Sequence, residues 1–245
     1  MHCTYLRRQF DLPRKKIILL VLLALAGVSA QAQNKLYKRQ FTEFYDDKTV
    51  HYGFFFALPM TRFNVRHSNA FVANDSTTAI TSPTQAGFRM GFVLNARLNR
   101  RFDFRVMPTV SIYGRSVNYR FQGGAERTQL RESTWVEMPL LLKYKSERRG
   151  NTRMYLVGGA RFGIESNVRK KENLGVNRER LTTRTADVAL EYGVGLERFF
   201  QYFKFSPELH FSHGVVNLFE PNRSAYSQGI SRLNSHTVTL YLMFE

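Results

Sequence analysis

The run Ala86-Gly87-Phe88-Arg89-Met90-Gly91-Phe92-Val93-Leu94-Asn95-Ala96-Arg97-Leu98 puts an apolar side chain at every even position and Gly, Arg or Asn at most odd ones. Side chains alternate across a β-strand, so this period of two describes a ribbon with one greasy face and one charged face. A strand in a soluble sheet usually runs about five or six residues, whereas a strand that crosses a membrane in a barrel needs about nine to eleven. The length of the run therefore points to a membrane-spanning strand.

Working outward, the pattern repeats. Phe102, Phe104, Val106, Pro108, Val110 and Ile112 oppose Asp103, Arg105, Thr109 and Ser111, and only Asn99 to Arg101 intervene, which predicts a tight hairpin. Val136, Met138, Leu140, Leu142 and Tyr144 oppose Glu137, Lys143 and Lys145; Met154, Leu156, Gly158, Ala160, Phe162 and Ile164 oppose Arg153, Arg161 and Glu165. Ala186 to Leu196 alternates against Asp187, Glu191 and Glu197, and Phe203, Phe205, Leu209 and Phe211 alternate against Lys204, Ser206, Glu208 and His210. The last segment sets Val238, Leu240, Leu242 and Phe244 against Thr237, Thr239 and Tyr241, with a terminal aromatic of the kind that barrel-insertion machinery reads. The first segment, Gly53 to Leu58, is apolar on both faces. These segments predict an all-β fold, an eight-stranded antiparallel transmembrane β-barrel of the outer-membrane type.

The connections point the same way, because outer-membrane barrels alternate long external loops with short periplasmic turns. Pro59 to Thr84, Gln122 to Glu132, Arg169 to Thr182 and Gly214 to Ser235 read as long loops; Asn99 to Arg101, Ser146 to Asn151 and Arg198 to Gln201 read as short turns. Pro108, Pro139 and Pro207 fall inside proposed strands, where each removes a ladder donor, so bulges or tilted strand ends are expected to absorb them. A soluble β-sandwich is the competing fold, but it explains neither the strand lengths nor the outward Phe rows.

Ahead of the barrel, Arg14, Lys15 and Lys16 precede the apolar run Ile17 to Val28 and the small-residue box Ala30-Gln31-Ala32, the form of a secretory signal. The expected organisation is a signal peptide over residues 1–32, a periplasmic N-terminal segment over 33–49 and the barrel over 50–245. The only cysteine, Cys3, lies in the segment to be removed, so no disulfide is expected. Removing residues 1–32 takes five basic residues and one acidic residue from 36 and 19, leaving 31 and 18, a net charge of +13. No basic helix or nucleic-acid motif accompanies that excess, so outer-membrane lipid, rather than nucleic acid, is the expected partner. No cofactor, metal-ligand spacing or nucleotide motif is visible.

An eight-strand barrel has an interior that side chains can fill. The inward set predicted by the alternation carries both signs: Arg89, Arg97, Arg105, Lys143, Arg161 and Lys204 against Glu137, Glu165, Asp187, Glu191, Glu197 and Glu208. Buried charges persist only when paired and hydrogen-bonded, so a structural salt-bridge network in the lumen is expected. His210 and Ser212 share a face, as a base and a nucleophile would. Lipid A deacylase barrels present such a pair to lipid, whereas here the alternation turns it inward.

Several segments resemble the PorT family of outer-membrane barrels from the type IX secretion system. They are His51-Tyr52-Gly53-Phe54-Phe55, the strand from Val136-Glu137-Met138-Pro139-Leu140 to Lys145, Phe205-Ser206-Pro207-Glu208-Leu209 with Phe211-Ser212-His213-Gly214, and Ile230 to Ser235 with the closing Phe244-Glu245. The matching segments span nearly the whole of the mature chain in the same order, and Pro139 and Pro207 lie inside them. The resemblance implies a non-enzymatic component needed to export proteins bearing C-terminal sorting domains, in some bacteria also supporting gliding, with other secretion components as partners. A generic structural or adhesive small barrel and a lipid-modifying enzyme are the alternatives. The resemblance brings no catalytic residues.

Overall fold

A computed structural model describes residues 41–68, 77–121, 126–166, 184–220 and 229–245. The expected signal peptide and the loop Arg169 to Thr182 lie outside them. A short 3-10 helix, Glu43–Asp47, precedes ten strands: β1 (Val50–His67), β2 (Thr77–Thr81), β3 (Gln85–Arg97), β4 (Phe102–Val106), β5 (Thr109–Phe121), β6 (Glu126–Lys145), β7 (Thr152–Glu165), β8 (Ala186–Phe199), β9 (Lys204–Gly214) and β10 (Ile230–Phe244). Every pairing is antiparallel, and β1 bonds to both β10 and β3, which closes the sheet on itself.

Ten segments make eight staves. β4 and β5 follow one another along β3 in a single unbroken register, Leu94↔Val106 then Gly91↔Thr109, and do the same along β6, Val106↔Leu140 then Thr109↔Glu137. They are one strand interrupted at Met107 and Pro108. β2 and β3 are likewise two pieces of one strand lying along β5. At each interruption a hydroxyl takes over from the ladder. Ser82 Oγ accepts from Phe63 N (3.0 Å) and donates to Ser116 O (2.7 Å). Thr109 Oγ1 donates to Met107 O (2.7 Å), the acceptor that residue 139 would serve were it not proline.

The prolines are absorbed by these lapses and not by bulges. Pairing of β9 with β8 skips Ser206 and Pro207, while β9 stays in register with β10. Pro59, expected to open a loop, lies inside β1, where the pairing with β3 skips Leu58 and Pro59. A residue without an N–H is tolerated where no ladder bond is asked of it. Three expected loops are accordingly shorter: β1 runs on to His67, β5 and β6 stay paired out to Arg120↔Glu126, and β10 begins at Ile230.

Alternation sorts the side chains. Phe54, Phe56, Leu58 and Met60 of β1 and Phe88, Met90, Phe92 and Leu94 of β3 stand on the outer surface, each 38–67% exposed. Such an apolar belt suits lipid. Tyr52, Phe102, Tyr144, Phe200, Tyr202 and Phe203 are exposed beside the short turns, forming the aromatic girdle that marks a membrane interface. Two apolar clusters lie inside. One, with Phe55, Val93, Met107, Leu141, Tyr155 and Tyr241, is at mid-barrel; the other, with Phe63, Ile80, Val117, Tyr119, Leu218, Phe219, Ile230 and Leu233, is at the end away from the short turns.

Candidate functional site

The inward positions of the strands carry arginine, lysine, glutamate and aspartate, and closing the ring forces them together away from solvent. Glu137 of β6 is the centre of the upper network. It receives Arg161 Nη1 (2.6 Å), Arg89 Nη2 (2.9 Å), Ser111 Oγ (2.5 Å) and Tyr113 OH (3.1 Å). Arg89 also donates to Tyr241 OH (2.6 Å) and to Ser111 Oγ (2.9 Å). Arg161 reaches Asp187 and Glu191, each at 3.8 Å, and Asp187 accepts from Ser235 Oγ (2.7 Å) and faces Arg115 (3.6 Å).

The chain of contacts runs on through His210. Its Nδ1 meets Glu191 and its Nε2 meets Glu208, both at 2.6 Å. Glu208 pairs with Arg105 (2.5 Å), whose Nε donates to Asn95 Oδ1 (2.6 Å), and Asn95 Nδ2 donates to Glu245 (2.8 Å). Below lies Glu197, which holds Lys143, Arg153 (2.6 Å) and Lys204 (3.0 Å).

Ten of the twelve residues singled out from alternation, Arg89, Arg105, Glu137, Lys143, Arg161, Asp187, Glu191, Glu197, Lys204 and Glu208, therefore join one interior network, none more than 4% exposed. The other two stand at its ends. Arg97 is half-buried near the short turns, with its guanidinium on the Asp46 carbonyl oxygen, and Glu165 is half-buried toward the opposite rim. His210 and Ser212 are both buried in the interior. Both imidazole nitrogens are occupied by carboxylates and neither side chain meets lipid.

Alternation alone missed the plug. The segment before β1 folds back under the barrel: Tyr45 OH donates to Glu245 (2.8 Å) and accepts from Lys204 Nζ (2.7 Å), and its ring stacks on His51 at 3.9 Å. Both carboxylate oxygens of Asp46 accept from Arg153 Nη1 at 3.0 Å. Arg148 donates to the carbonyls of Phe41 and Thr42 and lies 3.9 Å over the Phe199 ring. Burial pushes the Glu245 carboxyl up, but Lys204, Lys143 and Arg105 outweigh it and hold the group at about 2. Burial, reinforced by the Glu245 carboxylate, raises the Tyr45 phenol above its ordinary value. What sequence signal the plug has is the pair of acidic residues after an aromatic, Tyr45-Asp46-Asp47, just ahead of the first strand.

Such an interior cannot conduct ions freely, because its charges are spent on one another and shut off from water. A family model for the outer membrane protein beta-barrel domain matches residues 30–220. The chain belongs to that family. It is an outer-membrane protein, and the Tyr45 plug lies at the same end of the barrel as the short turns. No curated protein matches the sequence. Among the described residues, no three His, Cys, Asp or Glu side chains converge as a metal site would require.

Proposed function

We propose that this barrel is a non-enzymatic component required for type IX protein secretion, supporting export of proteins with C-terminal sorting domains and, in bacteria that glide, gliding as well. One observation carries the reading: segments that resemble the PorT family contribute to the lumen network, with Glu137 and Lys143 coming from the β6 segment, Glu208 from the β9 segment and Glu245 from the closing one. A filled lumen rules the barrel out as the conduit, so it acts through partners, which are other secretion components. With residues 41–47 engaged beneath the barrel, the surfaces that the described residues leave for those partners are the β5–β6 arm and the rim at the short turns.

Deleting the gene should strand substrate proteins, with their sorting domains unprocessed, in the periplasm. Normal export and processing in the deletion strain would refute the proposal. The β5–β6 arm, paired well beyond the length a membrane crossing needs, favours a second reading as a structural or adhesive barrel. In that case removing the arm tip abolishes ligand binding while export is untouched.

A further inference from the structure

Toward the end away from the short turns, the outward faces of β1, β10 and β9 change from apolar to basic within one step. Met60, Val238 and Phe211 lie side by side in register as a row of the lipid belt. The next outward row is Arg62, His236 and His213, and beyond it come the opposed pairs Asn64↔Asn234 and Arg66↔Arg232. Arg62 and Arg66 are exposed; Arg232, His236 and His213 are half-buried. Paired strands lie about 4.8 Å apart and successive outward positions about 7 Å apart, so the five groups share one small area.

Nothing acidic among the described residues offsets them. Arg62, Arg66 and Arg232 form no ion pair there, and the only charged groups that bear on His236 are His213 and Arg62. Their donors are little used. Arg232 gives Nη2 to Val215 O at 3.0 Å, but its Nε is shut off from water with no acceptor. Arg62 and Arg66 donate no side-chain hydrogen bond to any described residue. His213 Nε2 lies 3.0 Å from Tyr192 OH, and its ring meets that of His236 edge to face at 4.3 Å. Like charges directly opposite one another destabilise a strand pair, yet Arg66 opposes Arg232 with no carboxylate among the described residues to neutralise either.

We propose that this face binds the phosphate groups of a phosphorylated glycolipid of the lipid A class, with its acyl chains lying on the Met60, Val238 and Phe211 row. Outer-membrane barrels turn their short turns to the periplasm, which puts the opposite margin of the belt in the outer leaflet. Guanidinium forks match phosphate oxygens bidentately, and a phosphate seated between Arg66 and Arg232 converts a repulsion into two attractions. The apolar row directly below selects an amphiphile over a free anion or an acidic protein, either of which would leave Met60, Val238 and Phe211 with no counterpart. The site goes beyond the secretion reading and does not depend on it.

Native mass spectrometry of the full-length barrel released in detergent tests the site, with diphosphoryl lipid A, the same lipid stripped of its phosphates, and inorganic phosphate as probes. The intact lipid should be retained about tenfold more tightly than the stripped one, and Arg62→Gln/Arg66→Gln should weaken its retention about tenfold. The same charge loss at the short turns, Arg100→Gln/Arg101→Gln, should change retention less than about twofold. Equal retention of both lipids, displacement of the lipid by equimolar inorganic phosphate, or an equal loss in the short-turn variant would overturn the proposal. So would an acidic protein that leaves the native outer membrane bound to the wild type and not to Arg62→Gln/Arg66→Gln, with lipid retention the same in both. Heat-modifiable gel mobility checks folding. Should the double variant fail that check, Arg66→Gln replaces it, with about a threefold loss expected and no loss overturning the site.

Discussion

At the end that carries its short turns the lumen is closed by charge, with Tyr45 and Asp46 locked onto Lys204, Glu245 and Arg153; at its opposite end it is closed by oil, with Phe63, Ile80, Val117, Leu218 and Leu233 packed together. Arg115 marks the boundary, its guanidinium set against the Phe63, Tyr113 and Trp135 rings on one side and Asp187 on the other. The two closures fail for different reasons. A hydrophobic cluster that loses a methyl group keeps its sign and loses packing, whereas a charged network that loses one member leaves its partners stranded without water.

The largest effect should therefore come from Glu137→Ala, which strips both Arg89 and Arg161 of their main partner and should cost about 3–5 kcal/mol. Urea unfolding from lipid vesicles, followed by gel mobility, measures it; a loss below about 1 kcal/mol would mean that the barrel does not depend on its charged network. In the outer cluster, Leu233→Ala should cost about 3 kcal/mol, through lost burial and the cavity left behind. That cost should not change between low and high salt. Sensitivity to salt there would erase the distinction between the two ends.

The plug gives the smaller effects. Tyr45→Phe removes one hydroxyl that both donates and accepts, so a loss of about 1 kcal/mol in docking of residues 41–47 is expected, read by hydrogen exchange. The pH dependence has a definite sign. Because the Glu245 carboxyl sits at about 2 in the folded protein instead of its ordinary 4.5, its contribution is complete above the ordinary value. It fades as pH falls and is gone below about 2. Protection of residues 41–47 should decline from pH 4.5 toward pH 2, and Glu245→Gln should flatten that decline.

The strand faces were readable because lipid on one side and a closed interior on the other enforce a strict two-residue rhythm. Ala86 to Leu98 coincides with β3, Gln85–Arg97, to within one residue at either end. Where either surrounding changes, the rhythm fails. The far ends of β5 and β6, such as Ser116-Val117-Asn118-Tyr119, carry polar residues at their outward positions, and the expected loop Gln122 to Glu132 takes in the start of β6. Val117 and Tyr119 are consequently core residues that alternation does not reveal. Pro59 hid the second half of β1, since a residue without a donor reads as a strand end until the lapse in the adjoining ladder is seen. Tyr45, Asp46 and Glu245 had no periodicity to announce them; only three-dimensional closure brings residues 45 and 245 within 2.8 Å.

The strand prolines bear on the chain before it is folded. Pro59, Pro83, Pro108, Pro139 and Pro207 put a donorless residue into five of the eight staves. While the chain is still unassembled in water, alternating apolar strands of this length are the kind of sequence that stacks with its own copies. A proline in each of those staves denies a foreign neighbour a continuous row of amide donors, and the finished barrel bears the omission because Thr109 supplies a hydroxyl at one gap and the ladder asks nothing of Pro59 and Pro207 at two others.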